Sequence, residues 1–359
     1  MNARRFWAAI SGGLLVWVLV RSFGSGVLDL RVYLAGGEAW LAGTGLYTAD
    51  FHAPGGLPFT YPPFAAMLFS VLTPLPLAAA ALLFTALGIG LFTAAARTWA
   101  GFGVIALCLL LEPLRITLDL GQINLVLLGL VAADCLLPRT PWPRGMLVGL
   151  AAAIKLTPAV FVLFFVCRKR WKPALTAVAT FAACAALAPG QAREFWLHAM
   201  LDPDRVGGVA YSANQSLRGL FSRLGAPEST WIVAAVAVLA LTVVVLPRLR
   251  DDLTALVATA AAGLLISPVS WSHHWVWIAP ALVLLHGRVR IAVVAVFAVG
   301  PHWLLPTAGD RELAWTWWQH VVGNTYVWLG LAFLGWCAVR VGQNRLDGVP
   351  VRNPVQPQH

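Results

Sequence analysis

The stretch DLRVYLAGGEAW, residues 29–40, places an acid and two aromatic residues at the spacing of one helix face. Asp29, Tyr33 and Trp40 recur there together with a pair of adjacent glycines. A carboxylate in this position can accept a proton from a substrate hydroxyl. It can equally cap the first turn of an interfacial helix, where backbone N–H groups lack partners. The spacing alone leaves both interpretations open.

A lysine and a histidine pair interrupt otherwise apolar segments. Lys155 lies in the middle of a long apolar run, where an unpaired ammonium is costly, so it is a functional candidate and phosphate is its natural partner. An ion pair with Asp119 or Asp134 is the alternative. His273 and His274 lie among tryptophans. They could bind a phosphate or a sugar hydroxyl near neutral pH, or anchor a helix at the membrane interface.

A third group of candidates lies in the sequence NQSLRG, residues 214–219. The guanidinium of Arg218 could hold a phosphate through two hydrogen bonds. The amides of Asn214 and Gln215 could bind sugar hydroxyls. A loop that is merely solvated is an equally good explanation for each of these three residues.

The elements that must position these residues are membrane helices. The chain has 359 residues, of which 59% are hydrophobic and only 11% charged, whereas about a quarter of a soluble domain is charged. Apolar segments long enough to span a bilayer, roughly 17 to 25 residues each, number about twelve. They fall near 6–23, 61–77, 79–97, 101–118, 121–137, 145–167, 173–190, 231–247, 253–268, 273–287, 289–305 and 321–340. We therefore predict an all-α polytopic membrane protein.

The distribution of charge predicts its orientation. The net charge is +10, and basic residues concentrate in short loops at 168–172, 247–250 and 287–290. This is the pattern of cytoplasmic loops, and no basic face is interleaved with exposed aromatics, so nucleic-acid binding is not indicated. Both termini are then cytoplasmic, and the long loops 24–60 and 191–230 lie outside. We predict a single transmembrane domain over 1–345 and a disordered cytoplasmic tail over 346–359.

One loop fits this topology poorly. PRTPWPR, residues 138–144, would lie outside despite its two arginines. A re-entrant hairpin over 145–167, turning at Lys155-Leu-Thr-Pro158, would bring that loop inside. We prefer a full span, because each arm of such a hairpin would reach only about half the bilayer.

Cysteines and acids give no sign of a metal or a disulfide. The five cysteines all fall in apolar runs without CxxC spacing and are typical of small buried hydrophobic residues. Asp202 and Asp204 have the D-x-D spacing that can hold a nucleotide-sugar's divalent ion, but they lie far from the other candidates. We expect neither a metal nor an organic cofactor.

Several short motifs occur in a fixed order along the chain. D-x-x-V-Y begins at Asp29, G-x-x-L-Y follows, and Y-P-P-F begins at Tyr61. G-Q-I-N, I-K-L-T-P, N-Q-S-L-R-G and S-P-V-S-W-S-H-H come next, ending at His274. Together they resemble the polyprenyl-phosphate-dependent mannosyltransferases of glycosyltransferase family 87, which have the GT-C fold. Each motif alone is weak, and their order makes the resemblance specific.

This resemblance implies a reaction and a set of roles. An inverting transferase would move mannose from a polyprenyl phosphate to a glycolipid acceptor of the phosphatidylinositol mannoside or lipomannan type, through an α-1,2 linkage on the outer face of the plasma membrane. The essential acid of the family lies at the start of the first outside loop, which maps onto Asp29 as catalytic base. Tyr33 and Tyr61, from the first and third motifs, join the other candidates as substrate-binding residues.

Other functions remain open at this stage. Another carrier-linked sugar such as arabinose would suit the same motifs. A lipid or sugar transporter without chemistry would share the composition and the intramembrane Lys155. Against a transporter stand the long acid-bearing outside loops and the lack of a visible internal repeat. Membrane lipids would be partners in every case.

Overall fold

The computed structural model describes residues 26–346 of the chain, and this part is helical. Across these residues there is no β-strand, only one isolated bridge between Asn214 and Trp271. The predicted first span at 6–23 and nearly all of the predicted tail lie outside the described residues.

Helices of seven residues or more are numbered here in chain order. They are α1 Leu28–Ala42, α2 Pro63–Phe69, α3 Leu77–Ala96, α4 Phe102–Cys108, α5 Glu112–Leu120, α6 Asn124–Leu136, α7 Met146–Ile154, α8 Phe161–Cys167, α9 Trp171–Ala186, α10 Leu217–Arg223, α11 Glu228–Val245, α12 Asp252–Ile266, α13 Ile278–Leu284, α14 Gly287–Val299, α15 Trp317–Gly323 and α16 Thr325–Leu346. Short 3-10 segments extend several of them, notably Thr157–Val160 before α8 and Ser272–Trp277 before α13.

Several helices are long and apolar enough to cross a bilayer. Within residues 26–346, three qualify singly, at Leu77–Ala96, Glu228–Arg248 and Thr325–Gln343, and two bent pairs would raise the number to five. One of those pairs is α5 with α6, which meet at 120°. The protein is thus a helical membrane protein, as predicted. The finer count of about twelve spans stays a prediction.

Basic loops gather at one end of the helix bundle. The Asp134 carboxylate near the end of α6 accepts backbone N–H bonds from Gly145 (2.9 Å) and Val148 (3.0 Å) at the start of α7. Arg168, after α8, donates to the Leu249 carbonyl at 2.9 Å and pairs with Asp252 at 2.8 Å. We call this region the basic end, defined by the loops 137–145, 168–170 and 246–251.

The segment 145–167 is a re-entrant hairpin, and the predicted full span is wrong. Gly145 lies against the Pro173 carbonyl and Gly149 against the Ala177 carbonyl, so α7 and α9 run parallel from the basic end. The chain between them must therefore return to that end through α8. Lys155 marks the turn, with an extended backbone (φ −145°, ψ 127°).

The sequence explains why the hairpin forms. Pro158 lacks an N–H and its ring would clash with the Ile154 carbonyl in a continuous helix, so α7 ends there and Pro158 lies instead at the start of the 3-10 segment Thr157–Val160. Gly145 has φ +100° and, like Gly149, leaves room for the backbone of α9. The hairpin also removes the misfit of the loop PRTPWPR, which lies at the basic end with the other arginine-rich loops.

The two adjacent glycines of α1 serve close packing. A side chain at Gly37 would meet the Ser70 backbone at 2.9 Å, and one at Gly36 would collide with the Phe59 ring. The paired glycines therefore let α1 lie directly on the segment 59–73. This contact fixes α1, and with it Asp29, against α2.

Candidate active site

Asp29 lies in the first turn of α1 but does not cap it. The N-cap position is Val27, which has a left-handed backbone (φ 41°) and makes no side-chain cap bond. The Asp29 carboxylate is half-buried. Burial raises its pKa above the ordinary aspartate value, while a hydrogen bond with Gln122 and the positive charge of Lys155 both lower it. The carboxylate thus faces polar partners from other elements rather than its own helix.

A buried polar triangle lies beside Asp29. The Tyr33 hydroxyl donates to the side-chain oxygen of Gln122 at 2.7 Å and lies 3.1 Å from the Tyr61 hydroxyl. The Gln122 amide donates to that same Tyr61 hydroxyl at 3.1 Å. Tyr33 is fully buried and stacks on Phe69 at 4.3 Å. Tyr33 therefore orients Gln122, and it has no surface left for a substrate.

Lys155, at the tip of the re-entrant hairpin, joins the same network. Its ammonium donates to Gln122 Oε1 at 3.4 Å and to Asn124 Oδ1 at 3.2 Å, and lies 3.1 Å from His274 Nε2. It also lies 5.6 Å from the centre of the Tyr61 ring. Its neighbours are mostly neutral dipoles, and Asp134, one of the two predicted ion-pair partners, lies at the opposite end of α7. An ammonium held this way keeps positive charge available for an anion.

The histidine pair enters from the 3-10 segment before α13. The two rings lie 4.7 Å apart at nearly a right angle. The His273 carbonyl accepts from Asn124 Nδ2 at 2.9 Å and from Thr117 Oγ1 at 3.1 Å. This backbone anchoring presents His274 to Lys155, so the pair belongs to the site rather than to an interfacial aromatic belt.

Behind these groups the site opens into an apolar cavity of about 250 Å³. Asn124 and His274 form its polar wall, and residues of the hairpin tip and of α12 line the rest. A larger apolar groove of about 470 Å³ lies next to it, between α12, α13, α14 and α16. Leu264 and Trp277 line both. A polar pocket thus continues into an apolar channel.

The predicted residues of the NQSLRG motif lie elsewhere. Asn214 is fully buried, and its side chain bonds the backbone of Ser270 at 3.0 Å and of Val209 at 2.9 Å. Gln215 is also fully buried, and its amide donates to the Ser212 and Gly323 carbonyls, each at 2.7 Å. These amides hold the loop that leads to the histidines.

Arg218 lies on the surface of that region. It pairs with Glu228 at 2.7 Å, and the glutamate side chain is 61% exposed. Its guanidinium also lies over the Trp231 ring at 5.1 Å. The structure therefore brings together Asp29, Tyr33, Tyr61, Lys155, His273 and His274 of the predicted residues, and leaves Asn214, Gln215 and Arg218 outside the network.

Two residues of the network, Gln122 and Asn124, were not among the predicted site residues. Both belong to the motif G-Q-I-N. Their side chains reach Lys155 and the histidine segment, and the start of α6 makes no side-chain cap. Their position beside a helix break could have indicated a role in the site, because the partial positive charge of a helix N-terminus favours an anion.

A half-buried carboxylate in one polar network with a lysine and a histidine pair, beside an apolar channel, defines a membrane enzyme that acts on a lipid-linked phosphate. No cluster of three or more potential metal ligands occurs within residues 26–346. The profile of glycosyltransferase family 87 matches residues 59–268. The chain belongs to that family.

Similar proteins cover most of the chain. A polyprenol-phosphate-mannose-dependent α-(1-2)-phosphatidylinositol mannoside mannosyltransferase of Mycolicibacterium smegmatis is 40% identical over 86% of this chain and 82% of its own length. A protein of Mycobacterium tuberculosis with the same description is 37% identical over 93% and 91%. A pentamannoside mannosyltransferase of M. smegmatis, also polyprenol-phosphate-mannose-dependent, is 34% identical over 90% and 88%. No solved structure matches the chain.

Proposed function

We propose that the protein transfers mannose from a polyprenyl phosphate carrier to a phosphatidylinositol mannoside acceptor, forming an α-1,2 linkage with inversion. The observation that carries the proposal is the placement of the Asp29 carboxylate in one polar network with Lys155 and His274, joined through Gln122. A displacement of this kind needs a base for the attacking hydroxyl and positive charge for the leaving phosphate. Both are supplied by groups from separate elements.

The reaction follows from the positions of these groups. Asp29 accepts the proton of the acceptor hydroxyl as its oxygen attacks the anomeric carbon of mannose. The bond from that carbon to the phosphate oxygen breaks, and the polyprenyl phosphate leaves with the electron pair. Lys155 stabilises the departing phosphate through its positive charge, and His274, which lines the adjoining cavity, stabilises it as a hydrogen-bond donor. One carboxylate suffices, since no covalent sugar–enzyme intermediate forms.

The donor's lipid has a place beside this chemistry. The apolar channel begins at Asn124 and His274 and continues past Trp277 into the larger groove. A prenyl chain would lie in this channel with its phosphate at Lys155. A nucleotide sugar has no apolar chain that would fill this channel, so the channel favours the lipid-linked donor.

The site faces the extracytoplasmic side in this proposal. The basic end contains the arginine-rich loops and is assigned to the cytoplasm by their charge, while Asp29 and α1 lie away from it. Cysteines introduced at Thr48 and Ser229, both exposed, should react with an impermeant reagent added to intact cells. Protection of both positions would place the site on the cytoplasmic side.

The decisive experiment is a transfer assay with purified protein in lipid vesicles. Radiolabelled polyprenyl-phosphate mannose and a phosphatidylinositol mannoside should give a product that an α-1,2-specific mannosidase cleaves. Transfer from polyprenyl-phosphate arabinose instead would replace mannose by arabinose in the proposed reaction and leave the proposed roles of the site residues unchanged. Movement of donor across the bilayer without any product would indicate a transporter and refute the proposal.

A further inference from the structure

Three aromatic side chains form an exposed cleft outside the network of Asp29 and Lys155. The Tyr211 ring lies 6.1 Å from the Trp271 ring and 6.2 Å from the Trp303 ring, each near a right angle. Tyr211 and Trp303 are both 40% exposed. We call Tyr211, Trp271 and Trp303 the aromatic cleft.

Hydrogen bonds hold the Trp303 ring and the backbones of Tyr211 and Trp271 in place. The Trp303 indole donates to the buried Glu112 carboxylate at 2.8 Å. Arg223, 1% exposed, donates to the Tyr211 carbonyl at 3.0 Å. Trp271 is fixed by its β-bridge to Asn214. A membrane anchor would not need such rigid support, whereas a recognition surface gains affinity from pre-organisation.

The cleft is linked directly to the active site. Trp271 precedes His273 by two residues, and Ser272 between them donates to Glu112 at 2.6 Å. Glu112 begins α5, and the site residue Gln122 follows the end of that helix. The nine residues of α5 span about 13 Å at 1.5 Å per residue. The Trp303 side of the cleft is thus more than one sugar ring away from Gln122, while Trp271 lies beside His274, whose backbone N–H donates to the Trp271 carbonyl at 2.8 Å.

The charge around the cleft selects a neutral ligand. Its charged neighbours are the buried carboxylates of Glu112 and Glu312 and the buried guanidinium of Arg223, on which the Glu312 charge acts. Glu312 Oε1 accepts from the Ser212 backbone at 3.2 Å, beside Tyr211, and its buried Oε2 makes no hydrogen bond within the described part of the chain. Burial and the Glu312 charge both raise the pKa of Tyr211, which stays neutral. The cleft therefore carries no excess positive charge that would attract a phosphate, and this favours a neutral ligand such as a sugar.

We infer that the aromatic cleft binds mannosyl residues of the acceptor glycan at a distance from the residue being extended. The C–H faces of a hexose carry partial positive charge and stack on the negative faces of aromatic rings. This inference rests on the proposed function, because it assumes a mannosylated acceptor. The cleft would make the enzyme favour acceptors whose glycan is long enough to reach it.

The test compares acceptors that differ only in the number of mannosyl residues. In vesicles with saturating donor, Tyr211→Ala should raise the KM for a pentamannoside acceptor about tenfold. The KM for a monomannoside acceptor should change less than about twofold. Tyr211→Phe, which keeps the ring, should match the unmodified protein with both acceptors. Trp317→Ala is the matched control, since Trp317 is 79% exposed and lies outside the cleft.

A second measurement protects the test against a folding defect. Soluble α-mannooligosaccharides should inhibit transfer by the unmodified protein and fail to inhibit the Tyr211→Ala variant. Equal KM changes for short and long acceptors, or none at all, would overturn the inference and leave the cleft as a lipid contact. Normal transfer to the monomannoside in the same variant would show that the proposed function holds independently of the cleft.

Discussion

Replacing Asp29 by asparagine separates a catalytic carboxylate from a structural one. The substitution keeps the shape of the side chain and removes its basicity. Because Val27 occupies the N-cap position without a side-chain bond, α1 does not depend on the Asp29 charge for its start. Asparagine and aspartate are also similar near helix N-termini. The variant should therefore fold.

The size of the effect follows from the role of the group. Loss of a general base slows transfer by about two to four orders of magnitude, which corresponds to about 3 to 5 kcal/mol of transition-state stabilisation. Donor binding should persist or tighten, since the positive charge of Lys155 is no longer opposed by a neighbouring carboxylate. Stability should be unchanged or higher. The raised pKa means that ionising Asp29 costs stability as the pH rises through that pKa, and asparagine removes this cost.

The assay is mannose transfer in vesicles over a range of pH, with a thermal unfolding curve for each variant. In the unmodified protein kcat/KM should fall as the pH drops through the pKa of Asp29, with a midpoint above the value of about 3.9 usual for aspartate. Glu38→Gln is the matched control, because Glu38 is an exposed carboxylate on the same helix and should be dispensable. A folded Asp29→Asn protein with normal turnover would refute the assignment of Asp29 as the base. Loss of activity in Glu38→Gln would assign that role to Glu38.

Three further predictions concern the rest of the site and the topology. Lys155→Met should raise the donor KM at least about tenfold while acceptor KM changes little, because the lysine provides the positive charge for the phosphate; equal changes in both would contradict a phosphate contact. Single cysteines at Arg139 and Lys169, both exposed, should react with an impermeant reagent from the same side of the membrane. The native cysteines are all buried and should add little background. Labelling of the two positions from opposite sides would restore a full span at 145–167. Arg218→Gln should keep transfer within about twofold, because an exposed ion pair contributes little, and a large loss of donor affinity would return Arg218 to the site.

The sequence predicts the class of fold and most of the site for identifiable reasons. Composition alone reveals a membrane protein, because lipid demands long apolar helices. Asp29 and Lys155 can be recognised as candidates because charged residues are rare in such a chain and costly to keep in or beside apolar segments without a function. The histidine pair is visible because two titratable rings interrupt an apolar segment. Each of these signals is local.

What the sequence could not predict depends on packing between distant segments. Asn214, Gln215 and Arg218 have suitable chemistry and lie in a loop beside the site, but only the fold shows that the two amides bond backbone groups and that the arginine pairs with Glu228. The hairpin was missed because an apolar run of sufficient length predicts a span. The contact of Gly145 and Gly149 with α9, which makes the run turn back, involves residues almost thirty positions apart.

The re-entrant hairpin has a consequence for how the protein enters the membrane. The loops before α7 and after α8 both lie at the basic end. With that end in the cytoplasm, as proposed, neither Arg139 nor Arg144 has to be carried across the bilayer during synthesis. Only the tip moves inward, and its single charge, Lys155, acquires partners from α6 and from the segment before α13. The second partner is synthesised more than one hundred residues later. Until that segment is synthesised the ammonium lacks its contact with His274, so we expect the polar network around Lys155 to be completed late in biogenesis.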